Sequence, residues 1–129
     1  MIQLFTDAAT KYNPGPTGLG AVILVKQQQI QLTGHVPTAS NHTGEFLAAQ
    51  LGFQYLANHY SADEVVIFHT DSRLLSDAIG KHYSKHYATQ LNALEALMNH
   101  FTTVVTRWIP EKQNHGAHHL ANQALHQIE

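Results

Sequence analysis

Three acidic residues sit where their neighbours give little reason for a charge. Asp7 follows the apolar run Ile2-Gln3-Leu4-Phe5, Glu45 is set among Phe46, Leu47, Ala48 and Ala49, and Asp71 follows Val65-Val66-Ile67-Phe68. Taken singly, each has an ordinary reading. Asp7 ends a strand and caps a turn, Glu45 serves the dipole of a helix N-terminus, and Asp71 caps the next helix. Taken together they ask for more, because a carboxylate in apolar surroundings is costly unless it is paired or holds a cation. Three carboxylates that converge cannot all stay ionised without cations. Hard oxygen donors select Mg²⁺ or Mn²⁺. Two such ions roughly 3.5–4 Å apart would activate a water and stabilise a leaving oxygen in phosphodiester cleavage.

The elements that must bring these residues together can be read from period and punctuation. Leu4 to Thr10, with Ile2 before it, reads as a strand that Asp7 interrupts, and Asn13-Pro14-Gly15-Pro16 with Gly18 and Gly20 reads as a turn region. Leu19 to Val25 forms a second strand, and Lys26 to Gln29 a polar connection. Ile30, Leu32 and Val36 alternate as a third strand, antiparallel to the second, with a loop over Pro37 to Asn41. From Thr43 the apolar residues recur at helical spacing through Leu56, with Ser40, Asn41 and Thr43 as candidate caps. Val65 to Phe68 reads as a strand buried on both faces. A helix through Leu74 to Ile79 stops at Gly80, and another carries Leu91 to Phe101. Val104 to Ile109 is a fifth strand, and Ala117 to Ile128 a final amphipathic helix. The order β-β-β-α-β-α-α-β-α predicts an α/β fold with a mixed five-stranded sheet flanked by helices.

Composition narrows the rest. The 129 residues suit one domain, 1–129, with a single core. The charged fraction, 12 %, is about half the usual share. With seven Lys and Arg and a net charge of −2, tight non-specific binding to nucleic acid is disfavoured. Cysteine is absent, which excludes disulfides and thiolate metal sites and fits a reducing, cytoplasmic setting. No run is long enough to span a bilayer, and no protein partner is evident.

Over essentially its whole length the sequence resembles ribonuclease HI in its short prokaryotic form. The blocks that carry the resemblance are Thr6-Asp7-Ala8, Asn13-Pro14-Gly15-Pro16 with Gly18 and Gly20, and Ser40-Asn41 with Glu45. They continue with Thr70-Asp71-Ser72, and with Trp108-Ile109-Pro110 leading to Asn114 and Leu120-Ala121-Asn122. The resemblance implies a ribonuclease H-like fold and endonucleolytic cleavage of the RNA strand of RNA–DNA hybrids, giving 5′-phosphate and 3′-hydroxyl ends. It implies that Asp7, Glu45 and Asp71 are catalytic and hold two divalent ions. It places Asn13 and Asn41 at the minor groove, where 2′-hydroxyls distinguish RNA from DNA, and Ser40 near a DNA phosphate. His115 falls in the segment of a family histidine that aids proton transfer or product release.

One position departs from the pattern. The family has a fourth carboxylate at the start of the last helix, and here the frame reads Ala117-His118-His119-Leu120-Ala121. His118 therefore joins the predicted catalytic and metal-binding set, as in Holliday-junction resolvases, which resemble this chain in having a histidine there. Imidazole serves Mn²⁺ better than Mg²⁺, so Mn²⁺ is favoured. The competing reading is a catalytically impaired domain that binds hybrids or a protein partner. Exonucleases of related fold are disfavoured, since they carry a glutamate where this chain has Ala9. Lys81 to Tyr87, with two lysines, two histidines and two tyrosines, is the only candidate basic contact surface, and its His82 and His86 are read at i, i+4 spacing on a helix.

Overall fold

The computed structural model describes residues 1–128. Five strands are β1 (Ile2–Thr10), β2 (Gly15–Val25), β3 (Gln28–Ala39), β4 (Val65–Thr70) and β5 (Thr103–Trp108). Four α-helices are α1 (Asn41–His59), α2 (Arg73–Lys81), α3 (Ala88–Met98) and α4 (His115–Gln127), with a 3₁₀ turn at Glu111–Gln113. The sheet order is β3-β2-β1-β4-β5. β1 and β3 pair antiparallel with β2, while β4 runs parallel to both β1 and β5. The predicted order and the mixed five-stranded sheet are both present. β1 is the central strand, so a residue on it can be reached from either side.

One face of the sheet carries most of the core. Ile2, Leu4, Ile23, Val66 and Phe68 pack against Phe46, Phe53 and Leu56 of α1, and against Leu75, Leu91 and Leu94 of α2 and α3. Phe53 meets Phe68 edge to face at 5.2 Å. The other face is covered by α4, whose Ala117, Leu120, Ala121, Ala124 and Leu125 are buried. Here the glycines read as turn residues take a different role. Gly18 and Gly20 lie inside β2, paired with Ala9 and Asp7. A Cβ at Gly20 would stand 2.4 Å from the Ala117 carbonyl, and one at Gly18 2.2 Å from that of Ala121. Their missing side chains let α4 lie directly on the strand.

Several boundaries move for identifiable reasons. The connection between β2 and β3 is only Lys26 and Gln27, both at positive φ, so β3 starts at Gln28 and takes in half of the expected connection. A two-residue turn of that kind matches strand twist, but without glycine or asparagine it leaves little trace in the sequence. β4 is fully buried on one face, while on the other Val65 and Ile67 are only partly covered and His69 is buried against Phe5, because α4 packs over β1 and β2 rather than over β4. Gly80 lies within α2, and His82 in the left-handed region forms its cap, so His82 and His86 do not share a helix face. Phe101 falls beyond the end of α3. Among the described residues no helix is long and apolar enough to cross a membrane.

Candidate metal centre

The carboxyl ends of β1 and β4 lie side by side, and α1 enters the sheet beside them. β1 continues to Thr10, so Asp7 is a strand residue rather than a cap. Ser40 caps α1 by accepting from the Thr43 amide, which leaves Glu45 in the first turns free to face inward. Ser72, not Asp71, caps α2, accepting from the Leu75 amide. The two helix caps are thus taken by serines, and Asp7 lies too far inside β1 to cap a turn. One carboxylate oxygen from each of Asp7, Glu45 and Asp71 lies within 4.8 Å of the others.

The electrostatics of this cluster are unfavourable as it stands. Asp7 and Glu45 are 4 % and 5 % exposed. Burial, joined by the charges of Asp7 and Asp71, pushes Glu45 well above the usual carboxylate range. Burial also raises Asp7, partly offset by its hydrogen bond from His118. Asp71 is raised by burial and then by the charge of Asp7. Glu45 Oε2 is buried with no hydrogen-bond partner. An orphaned carboxylate oxygen, beside two more in reach, is a donor set that fits a hard divalent cation.

Other predicted residues fall into two groups. Asn13, Ser40 and Asn41 come together at the N-terminus of α1, where the Asn41 amide donates to Asn13 Oδ1 at 2.7 Å. The Asn13 side chain therefore ties the β1–β2 turn to the helix, and its amide nitrogen remains available. His118, expected as a fourth ligand, is not among the clustered ligand atoms. Its Nδ1 lies 2.8 Å from Asp7 Oδ2. His115 is the exposed first residue of α4 and borders a small cavity with Phe5 and Val22. It makes no hydrogen bond to Asp7, Glu45 or Asp71.

Two residues that sequence reasoning left without a role support Asp71. Buried Asn114 donates to the Thr6 carbonyl at 2.8 Å and to Asp71 Oδ2 at 3.3 Å, joining α4 to β1 and to the cluster. Trp108 Nε1 donates to the Asp71 carbonyl at 3.1 Å, and Arg73 stacks on its ring at 3.9 Å. The only signal of either was the presence of Asn114 and Trp108 in the blocks shared with ribonuclease HI.

A family model described as "Reverse transcriptase-like" matches residues 5–124, nearly the whole chain and every residue of the site. The chain belongs to this family. This reverse transcriptase-like domain is 36% identical over 129 residues to the Enterococcus faecalis protein named "Putative hydrolase EbsB", covering 97% of this chain and 94% of that one. It is 31% identical over 86 residues to the ribonuclease H of Trichodesmium erythraeum, covering 67% of this chain and 52% of the relative. The matched part thus spans about half of that ribonuclease H. Its fold is that of LC11-RNase H1, solved in complex with RNA/DNA hybrid, at a TM-score of 0.90 and 21% identity over 99% of both chains. The expected ribonuclease H-like fold is therefore the observed one.

Proposed function

We propose that residues 1–129 act as one ribonuclease H-like domain that hydrolyses the RNA strand of RNA–DNA hybrids, leaving 5′-phosphate and 3′-hydroxyl ends. The observation that carries this reading is the convergence of Asp7, Glu45 and Asp71 with Glu45 Oε2 unpartnered. Divalent cations, two in the full arrangement, supply activation of water and stabilisation of the leaving oxygen when bound. Asp7, Glu45 and Asp71 hold them, and Asn114 fixes Asp71. Asn13 and Asn41 face the RNA strand and Ser40 a DNA phosphate, with His115 left to assist proton transfer or product release. Mn²⁺ gains over Mg²⁺ to the extent that a His118 nitrogen turns toward the cations. Binding is weak and salt-sensitive, because few Lys and Arg are available. The lack of cysteine suits a cytoplasmic setting.

Relatives named ribonuclease H and a structural neighbour solved with an RNA/DNA hybrid support the substrate class. A second reading, a catalytically impaired module that binds hybrids or a protein partner, draws on the His118–Asp7 hydrogen bond, which satisfies Asp7 without any cation. A labelled hybrid incubated with Mg²⁺ and Mn²⁺ titrated separately decides between them. Cation-dependent cleavage that disappears in Asp7→Asn supports the nuclease. Binding of hybrid without cleavage at any concentration of either ion supports the module.

A further inference from the structure

The carbonyl of His118 and its ring are both engaged by a residue one turn further along α4. Asn122 Nδ2 lies 3.0 Å from the His118 carbonyl oxygen and 3.0 Å from His118 Nε2. The first contact fixes the amide. Only the NH₂ end can donate to a backbone carbonyl, whereas the amide oxygen turned there would face another oxygen. The second NH₂ proton then points at Nε2, and that nitrogen must accept. The remaining ring nitrogen, Nδ1, carries the proton and donates it to Asp7 Oδ2 at 2.8 Å. Both lone-pair positions by which an imidazole could ligate a cation are therefore used. One faces Asn122, and the other is a proton.

From this chain of contacts we propose that Asn122 is a positioning residue that holds His118 as a hydrogen-bond donor to Asp7, and so makes the site take its two cations unequally. A first would be held by Asp7, Glu45 and Asp71 with the His118–Asp7 bond left intact. A second would compete with the His118 ring for Asp7 Oδ2, so the Asn122–His118–Asp7 chain would oppose it. Residue 118 keeps the place where the family has a carboxylate, yet in this chain it opposes the second ion instead of attracting it. The inference rests on the reading of the three carboxylates as a cation site.

Two measurements test it, one of them independent of cations. In the cation-free protein, ¹⁵N shifts of the His118 ring should show a protonated Nδ1 and a bare Nε2. In Asn122→Ala, a change that alanine's helix preference makes safe for α4, the pattern should move toward a mixture of tautomers. Calorimetric titration of the parent with Mn²⁺ alone should show one strong site, and a second at least ~10-fold weaker, the scale on which groups that orient a ligand alter affinity. Asn122→Ala should narrow that gap several-fold, chiefly by strengthening the second site. A ring with its proton on Nε2, or an Asn122→Ala protein whose tautomer and two affinities match the parent, overturns the proposal. If the parent binds no cation at all, the carboxylate reading fails, and the ring shifts still decide the tautomer.

Discussion

On one side of Asp7 stand Glu45 and Asp71, two more carboxylates contributed by α1 and the end of β4. On the other side stand the donors of α4, His118 to Asp7 and Asn114 to Asp71. The first side concentrates like charge where burial raises all three groups, and leaves Glu45 Oε2 without a partner. The second side is more fully bonded, since Asn122 engages both the ring and the carbonyl of His118 and the ring in turn reaches Asp7, with Asn114 Oδ1 left as a buried unpartnered atom. Clustered acids call for something positive, whereas neutral donors hold their acceptors without it. The site is thus half a binding pocket and half a scaffold, and substitutions should divide along that line.

The sharpest division is expected at the carboxylates. Glu45→Gln and Asp71→Asn should each lower cleavage of an RNA–DNA hybrid by ~10³-fold or more, because each removes a cation donor from a site with none to spare. Their thermal midpoints without cations should equal or exceed the parent's, since like-charge crowding is relieved. A clear loss of stability would mark these residues as structural and erase the contrast with α4.

Gly20→Ala acts on the scaffold alone. The new Cβ meets the Ala117 carbonyl at 2.4 Å, so α4 must lift from β2 and carry His118 and Asn114 with it. Overpacking of this sort costs about 1–3 kcal/mol, readable in denaturant unfolding. The acidic cluster, built on β1, α1 and β4, should still bind its first cation. Loss of that cation together with stability would show that α4 holds the carboxylates in place after all.

How much of this could be read in the chain depended on distance. Asp7, Glu45 and Asp71 were legible because each conflicts with its own neighbours, and the helices and strands because period is local. Gly18 and Gly20 were misread as turn residues, since the helix they accommodate lies near the other end of the sequence. The support of Asn114 is likewise out of reach, because it bonds to Thr6 across 108 positions. His82 gave a helical histidine pair on spacing alone, and the left-handed cap that separates it from His86 has no side-chain signal. What the sequence hides here is contact between distant polar groups.

Acidity offers a milder probe of the same contrast. A carboxylate raised by burial binds more protons folded than unfolded, so its contribution to stability grows as pH falls toward its unfolded value and shrinks as pH rises through its folded one. Asp7, Glu45 and Asp71 all have this sign. His69, lowered by burial and by Arg107, has the opposite one and costs stability as pH falls through about 6.5. Subtracting the pH profile of Asp71→Asn from the parent's removes His69 from the comparison. The difference should show the parent losing stability from about pH 4 upward without cations, and saturating Mg²⁺ should flatten it. A difference that rises with pH would reverse the assignment of the cluster as electrostatically strained.

The smallest expected effect comes from converting the scaffold side into the binding side at one position. His118→Asp exchanges a donor to Asp7 for a fourth carboxylate beside it, and leaves Asn122 with an acceptor it can still reach. Without cations the variant should melt below the parent, since it loses a charge-assisted hydrogen bond worth about 1.5–3 kcal/mol and gains repulsion. With Mg²⁺ the order should invert, because the added oxygen suits a hard ion better than imidazole does. Cleavage supported by Mg²⁺ should rise by ~10-fold, the scale of improving a group that supports a metal site, and the advantage of Mn²⁺ over Mg²⁺ should shrink. If Mg²⁺ raises neither the melting point nor the rate of His118→Asp, residue 118 lies outside the cation site. The division of labour around Asp7 then ends at the three carboxylates.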